Sequence, residues 1–244
     1  MNKQRLDEWD EKNFKEHERN YHAKQWREPK QSTIRFNEYI TPLMETASQV
    51  IDLACGEGGS TFYLSEKNTN CNFLGLDISK PLIESGNNIL KAEDSKNLVL
   101  EDADWFNLKQ YDEIDGVVSL QSLSWLPNFE NPLEQIFTKI QPKWLCFSSL
   151  FYEGDISVIS EVKEHESGRS SFYNTYSIPE VSRFCERFGY TLTDATKFDI
   201  DIDIPKPKNK NILGTYTELT ADGQRRQITG PLLLNWHFIT ITRT

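Results

Sequence analysis

Asp52, Gly56, Gly58 and Asp77 are the residues whose types and spacing could do chemistry together. The apolar run Val50-Ile51-Asp52-Leu53 leads into a small-residue turn, Ala54-Cys55-Gly56-Glu57-Gly58-Gly59-Ser60, and a second apolar run ends on Asp77. A buried strand, a tight turn, a helix and an acid roughly 20 residues on is the layout of an adenosine-cofactor site in an open α/β sheet.

Such residues need strands and helices to hold them. Gln49–Leu53, Asn72–Leu76, Asn97–Leu100, Ile114–Leu120 and Trp144–Leu150 read as strands. Gly58–Lys67, Lys80–Ala92 and Pro132–Ile140 read as the helices between them. This alternation predicts an α/β fold: a Rossmann-like, seven-stranded, mostly parallel sheet with helices on both faces. Residues 1 to about 47 are rich in Glu, Lys, Gln and Arg and read as an N-terminal helical lid, broken at Pro29 and Pro42. Residues 48–244 then form the main domain. Pro179–Phe188 suits a helix ending at Gly189, a left-handed C-terminal position. Phe198–Ile204 alternates apolar and acidic residues and reads as a strand. A hairpin turned around Asp222-Gly223 is expected within a covering insertion at about 205–234, and Trp236–Thr242 supplies the closing strand.

Composition narrows the function classes. The formal net charge is -10, which argues against a protein that grips nucleic acid by broad phosphate neutralisation. Mean hydropathy is -0.60 and no apolar run approaches the roughly 20 residues of a membrane helix, so a soluble protein is expected. Met1 to Asn20 mixes both charge signs without an apolar core, which predicts a cytoplasmic rather than a secreted chain. Cys55, Cys71, Cys146 and Cys185 form no C-x-x-C, and the histidines form no H-x-x-x-H, so no metal is expected.

The turn itself selects the cofactor. A dinucleotide fold would need glycine at 61, where Thr61 stands, and no Gly-Lys-Ser/Thr follows as a P-loop requires. The segment resembles motif I of the class I S-adenosylmethionine-dependent methyltransferases, acid-x-Gly-x-Gly-x-Gly, with Asp52 as the acid, Ala54 in place of the first glycine, and Gly56 and Gly58 as the others. Three further stations match in order. Asp77 ends Phe73-Leu74-Gly75-Leu76-Asp77, Asp102-Ala103 follows the third strand, and Val117 to Leu126 resembles the segment beneath the methyl donor.

The resemblance implies S-adenosylmethionine as cofactor and S-adenosylhomocysteine as product. It implies Asp52 at the α-ammonium and Ala54, Cys55 and Gly56 along the methionyl part. Asp77 would hold the ribose diol, with Ile78 beside it, and a carboxylate has the two oxygens this requires. Asp102 would accept from the adenine amino group, the Ala103 amide would face a ring nitrogen, and Leu120 and Gln121 would run beneath the donor. Asp77 as a helix cap and Asp104 in place of Asp102 are the alternatives. Tyr21 and Trp26 resemble lid residues of small-molecule members, and Lys30 is a candidate for the cofactor carboxylate.

The acceptor should sit beyond the carboxyl ends of the strands. There the sequence is dense in aromatics, which attract a sulfonium and exclude water. His165, between Glu164 and Glu166, is the candidate base, with Tyr152, Tyr173 and Tyr176 as orienting groups. Ser148–Tyr152 and Phe172–Ser177 resemble segments of methyltransferases from bacterial surface-polysaccharide pathways. That resemblance implies a sugar, nucleotide sugar or phosphoramidate-type acceptor. Acidity and the covering layer favour a small molecule. RNA or protein methylation, and cofactor binding without turnover, are the competing readings. No Asn/Asp-Pro-Pro-Tyr/Phe follows the fourth strand, as base amino-group methylation would lead one to expect.

Overall fold

The computed structural model describes residues 24–163, 165, 168, 170–208, 214–229 and 232–244. Seven strands form the main sheet in the order β3-β2-β1-β4-β5-β13-β9. Their ranges are β1 Gln49–Leu53, β2 Asn72–Asp77, β3 Leu98–Asp102, β4 Gly116–Leu120, β5 Trp144–Tyr152, β9 Tyr190–Lys197 and β13 Trp236–Arg243. The first five run parallel, and β13 alone is antiparallel, between β5 and β9. Val50 to Leu53 and all of β5 except Tyr152 are buried, as strands covered on both faces must be.

One face carries α1 (Gln31–Met44), α2 (Gly59–Lys67) and α3 (Lys80–Ala92), whose Phe36, Ile40, Leu64, Ile83 and Leu90 pack on Val50, Val118, Cys146 and Phe238. The other carries α4 (Glu130–Gln135, continued by a π turn over Ile136–Ile140) and α5 (Ile178–Glu186). Their Leu133, Ile136, Val181 and Phe184 meet Leu53, Val117, Phe147 and Ile239. Three smaller pairings complete the chain: β6 (Glu161–Lys163) with β7 (Ser170–Phe172), β8 (Tyr176–Ser177) on the end of β5, and an outlying sheet of β10 (Thr215–Leu219), β11 (Arg225–Thr229) and β12 (Leu232–Leu233). The expected hairpin turns at Gly223, φ +81°, and Gly189 takes φ +77° after α5.

Several expectations need correction. Pro42 lies inside α1, in its last turn, and does not break it. Since α1 packs on the sheet, residues 31–44 are a core layer rather than a lid. Residues 198–204 form no strand. The sixth strand lies earlier, at β9, where Lys197 through Tyr190 ladder onto His237 through Arg243. The acidic residues beyond it reach out instead to cations, Asp199 to Lys197, Asp201 to Arg35 and Asp203 to Arg225, without a ladder partner.

Candidate active site

The turn after β1 is built by left-handed residues. Ala54, Gly56 and Gly58 take φ of 60°, 61° and 92°, so the chain reverses tightly and re-enters as α2. Alanine pays about 1 kcal/mol there that glycine would not. The Cys55 amide bonds the Leu76 carbonyl at 3.1 Å, the Gly58 amide bonds the Cys55 carbonyl at 3.0 Å, and the Gly56 amide reaches Asp77 Oδ2 at 2.8 Å. Glycine is required beneath the turn as well. A Cβ on Gly75 would stand 3.0 Å from Cys55 Sγ and 2.5 Å from Leu100, and one on Gly86 would stand 2.2 Å from the Glu57 carbonyl oxygen.

Asp52 is 2% exposed. Its Oδ2 accepts from Thr61 Oγ1 at 2.5 Å, which explains why threonine occupies the position where a dinucleotide fold has glycine. Among the described residues its Oδ1 has no partner. Burial, with Asp77 nearby, pushes its carboxyl up to about 7 despite the Thr61 hydrogen bond. A buried carboxylate oxygen without a donor fits a ligand that brings a cation.

Asp77 is half-buried at the end of β2. Burial raises its carboxyl, opposed by the amides of Ser79, Gly56 and Ile78. The Ser79 amide bonds Oδ1 at 2.9 Å, so Asp77 holds the residue that leads into α3 while also being fixed toward the turn. Asp102 is exposed beside Lys80, 3.6 Å away. The Ala103 amide is spent on the Asp77 carbonyl at 2.8 Å, extending the β2–β3 ladder, so it does not face a ligand ring as expected. Asp104 instead turns back on its own loop, its Oδ1 accepting from the Phe106 amide.

The segment before α1 closes over the turn. Trp26 Nε1 donates to Glu57 Oε2 at 3.0 Å, Ser85 Oγ donates to Oε1 at 2.6 Å, and the Trp26 ring packs 5.2 Å from Phe62. Lys30 Nζ donates to Gln121 Oε1 at 3.3 Å, and Gln121 Nε2 donates to Ser32 Oγ at 3.2 Å. Gln121, φ 60°, ends β4 just after Leu120 and hydrogen-bonds through its amide to the Ser148 carbonyl. Tyr21 lies outside the described residues.

The expected catalytic groups divide. Tyr173 is buried against Trp125, ring centroids 4.2 Å apart, and Tyr152 stands exposed at the end of β5. Tyr176 is not available to a substrate. It is 1% exposed, its hydroxyl donates to the Leu126 carbonyl at 3.1 Å, and Asn174 Nδ2 donates to it at 2.9 Å. His165 sits exposed between β6 and β7, away from the buried strand ends, while Glu164 and Glu166 lie outside the described residues. The histidine at those strand ends is His237, 4% exposed, its imidazole pKa lowered by burial, with Nδ1 on the Asn235 carbonyl and Nε2 without a partner among the described residues.

Sequence reasoning also missed a polar knot behind the aromatic wall. Ser124 Oγ and Ser149 Oγ lie 2.6 Å apart, Ser124 Oγ accepts from the Leu150 amide, and the Asn174 amide bonds the Ser124 carbonyl. Scattered serines carry no spacing signal, so only the fold brings them together. Among the described residues no group of His, Cys, Asp and Glu could hold a metal ion, and no helix is long and apolar enough to cross a membrane.

Comparison with known proteins agrees with this geometry. The chain is 21% identical over 194 residues to a malonyl-[acyl-carrier protein] O-methyltransferase of Priestia megaterium, covering 77% of this chain and 68% of that protein. It is 27% identical over 154 residues to a tRNA (guanine-N(7)-)-methyltransferase of Prochlorococcus marinus, covering 57% and 71%. The fold superposes on the Burkholderia thailandensis 1,6-didemethyltoxoflavin-N1-methyltransferase, solved with its substrate and S-adenosylhomocysteine. There the TM-score is 0.57 at 14% identity, over 92% of this chain and 83% of that one. The family described as "Methyltransferase domain" matches residues 45–189. With its glycine turn, its acids and its sheet order in place, the chain belongs to that family and is a class I S-adenosylmethionine-dependent methyltransferase.

Proposed function

We propose that this chain methylates a small molecule, and that the residues around the β1 turn hold the donor. The unpartnered Asp52 Oδ1 beside that turn carries the reading. S-adenosylmethionine, when bound, supplies an electrophilic methyl group on a sulfonium. Asp52 takes its α-ammonium, and the Ala54–Gly56 backbone lies along the methionyl part. Asp77, clamped by three amides, presents its remaining lone pairs to the ribose hydroxyls. Ile78 and Asp102 flank the adenine, Leu120 and Gln121 lie under the donor, and Lys30 beside Gln121 meets its carboxylate. Trp26, tied to Glu57, excludes water from above. The chain's main contribution to methyl transfer is alignment of acceptor and donor.

The finer acceptor, a sugar, nucleotide sugar or phosphoramidate, rests on two segments whose Ser149, Asn174 and Tyr176 are occupied by scaffold hydrogen bonds. It is tested by a screen of nucleotide sugars for methyl uptake. Uptake by bulk RNA would overturn the small-molecule reading. The donor site is tested by thermal shift. S-adenosylmethionine and S-adenosylhomocysteine should stabilise the protein and NAD should not. Asp77→Ala should abolish most of the shift, and an unchanged shift would reduce Asp77 to a helix cap.

A further inference from the structure

We infer that the acceptor carries an apolar aromatic or acyl body, seated in the cavity at the end of β5; this rests on the methyl-transfer reading above. The cavity measures about 350 Å³ and is walled by Leu150, Tyr152, Ile156, Val158, Tyr173 and Leu233. That volume lies in the range of small-ligand sites. Among the described residues no charged side chain lines it.

The distribution of exposed apolar surface points to this cavity. Eight large hydrophobic side chains stand exposed among the described residues, and four of them line it: Tyr152 at 46%, Ile156 at 62%, Val158 at 52% and Leu233 at 48%. Exposed apolar residues scattered singly call for no explanation, whereas a cluster around one concavity marks surface that a ligand covers.

The cavity is also joined rigidly to the donor end of the sheet. Tyr173 packs on Trp125, which follows Gln121 in the turn after β4. Ser124 fastens that turn to β5 through Ser149 and the Leu150 amide. An acceptor lodged against Tyr173 and Leu150 is therefore held in a fixed relation to the end of β4.

A second cavity, of about 290 Å³, lies across the shared residues Leu233, Leu234 and Asn235 and holds Lys197, Arg225 and Arg226. It is where a nucleotide sugar would find cations. Lys197 and Arg225 are already paired there, 3.0 Å from Asp199 and from Asp203.

The experiment is calorimetric titration of the full chain, saturated with S-adenosylhomocysteine, using 1-naphthol as apolar probe and UDP-glucose as polar probe. Naphthol should bind saturably and UDP-glucose should not. Val158→Asp and, separately, Ile156→Asp place a charge at the apolar wall. Each should weaken naphthol binding by about tenfold or more while the thermal shift from S-adenosylhomocysteine is retained. Naphthol binding that survives both variants, or that is absent while the shift persists, overturns the inference. So does UDP-glucose binding that Arg225→Ala removes. Loss of the shift in the unmodified chain would instead refute the methyl-transfer reading itself.

Discussion

Replacing Asp52 by Asn separates the cost of the donor site from its use. In the folded chain burial holds the Asp52 carboxyl near 7, whereas an unfolded aspartate titrates at about 3.9. Between those values the folded state keeps a proton that the unfolded state has released. Stability therefore falls as pH rises through this window, by about 1.4 kcal/mol per pH unit, and levels off above 7. From pH 5 to pH 7 the loss is roughly 2 kcal/mol. Asp52→Asn has no charge to desolvate and keeps the shape that meets Thr61. Urea unfolding of the ligand-free proteins at several pH values is the assay. The variant should gain on the unmodified chain as pH rises, by up to about 3 kcal/mol near pH 8 relative to pH 5. A ligand ammonium offsets the buried charge, so S-adenosylhomocysteine should bind the unmodified chain more tightly as pH rises toward 7, and the variant should lose this dependence. Parallel pH profiles for the two proteins would refute the reasoning, because they would mean that Asp52 ionises as freely folded as unfolded.

Two further perturbations read the scaffold around the site. Gly86→Ala drives a methyl group onto the Glu57 carbonyl, 2.2 Å away, and overpacking of this kind costs about 1–3 kcal/mol. Because the displaced backbone belongs to the turn proposed to hold the donor, the melting point should fall and the shift induced by S-adenosylhomocysteine should shrink with it. A full shift in a destabilised protein would mean that the turn moves without consequence. Tyr176→Phe removes one of the two donors to the buried Leu126 carbonyl, Asn174 Nδ2 remaining at 2.8 Å, at a cost of about 0.5–1.5 kcal/mol. Denaturant unfolding should show that loss with cofactor affinity unchanged, and weakened affinity would return Tyr176 to the site.

The first half of the fold was legible because each element there carries its own signal. Gln49–Leu53 carries Val50, Ile51 and Leu53 into a small-residue turn, and Lys80–Ala92 has one apolar face and a proline at its start; both have the expected limits. The second half misled where local pattern and pairing disagree. Phe198–Ile204 alternates perfectly and makes no strand, while β9 is mostly exposed on its side chains and exists because its backbone bonds β13. Such an edge is invisible to periodicity, since its partner lies about 40 residues away in the chain. The site divides in the same way. Motif spacing singled out Asp52, the turn and Asp77, which the fold brings to one end of the sheet. Which amide is spent on which carbonyl, as at Ala103, and which hydroxyl is buried, as at Tyr176, follow only from the ladder and the packing.

The placement of β13 has a consequence for synthesis. Of the described strands it is the last to be synthesised, yet it occupies an interior position between β5 and β9. Until Trp236–Arg243 emerge, the Leu145–Leu150 stretch of β5 and the whole of β9 present open edges. At about 5–20 residues per second, the stretch between β9 and β13 imposes a wait of roughly 2–8 s. A nascent chain stalled in that interval would hold the paired strands β3-β2-β1-β4-β5 beside an unpaired β9. A nonsense codon before Trp236 would accordingly split the sheet in two rather than trim its border.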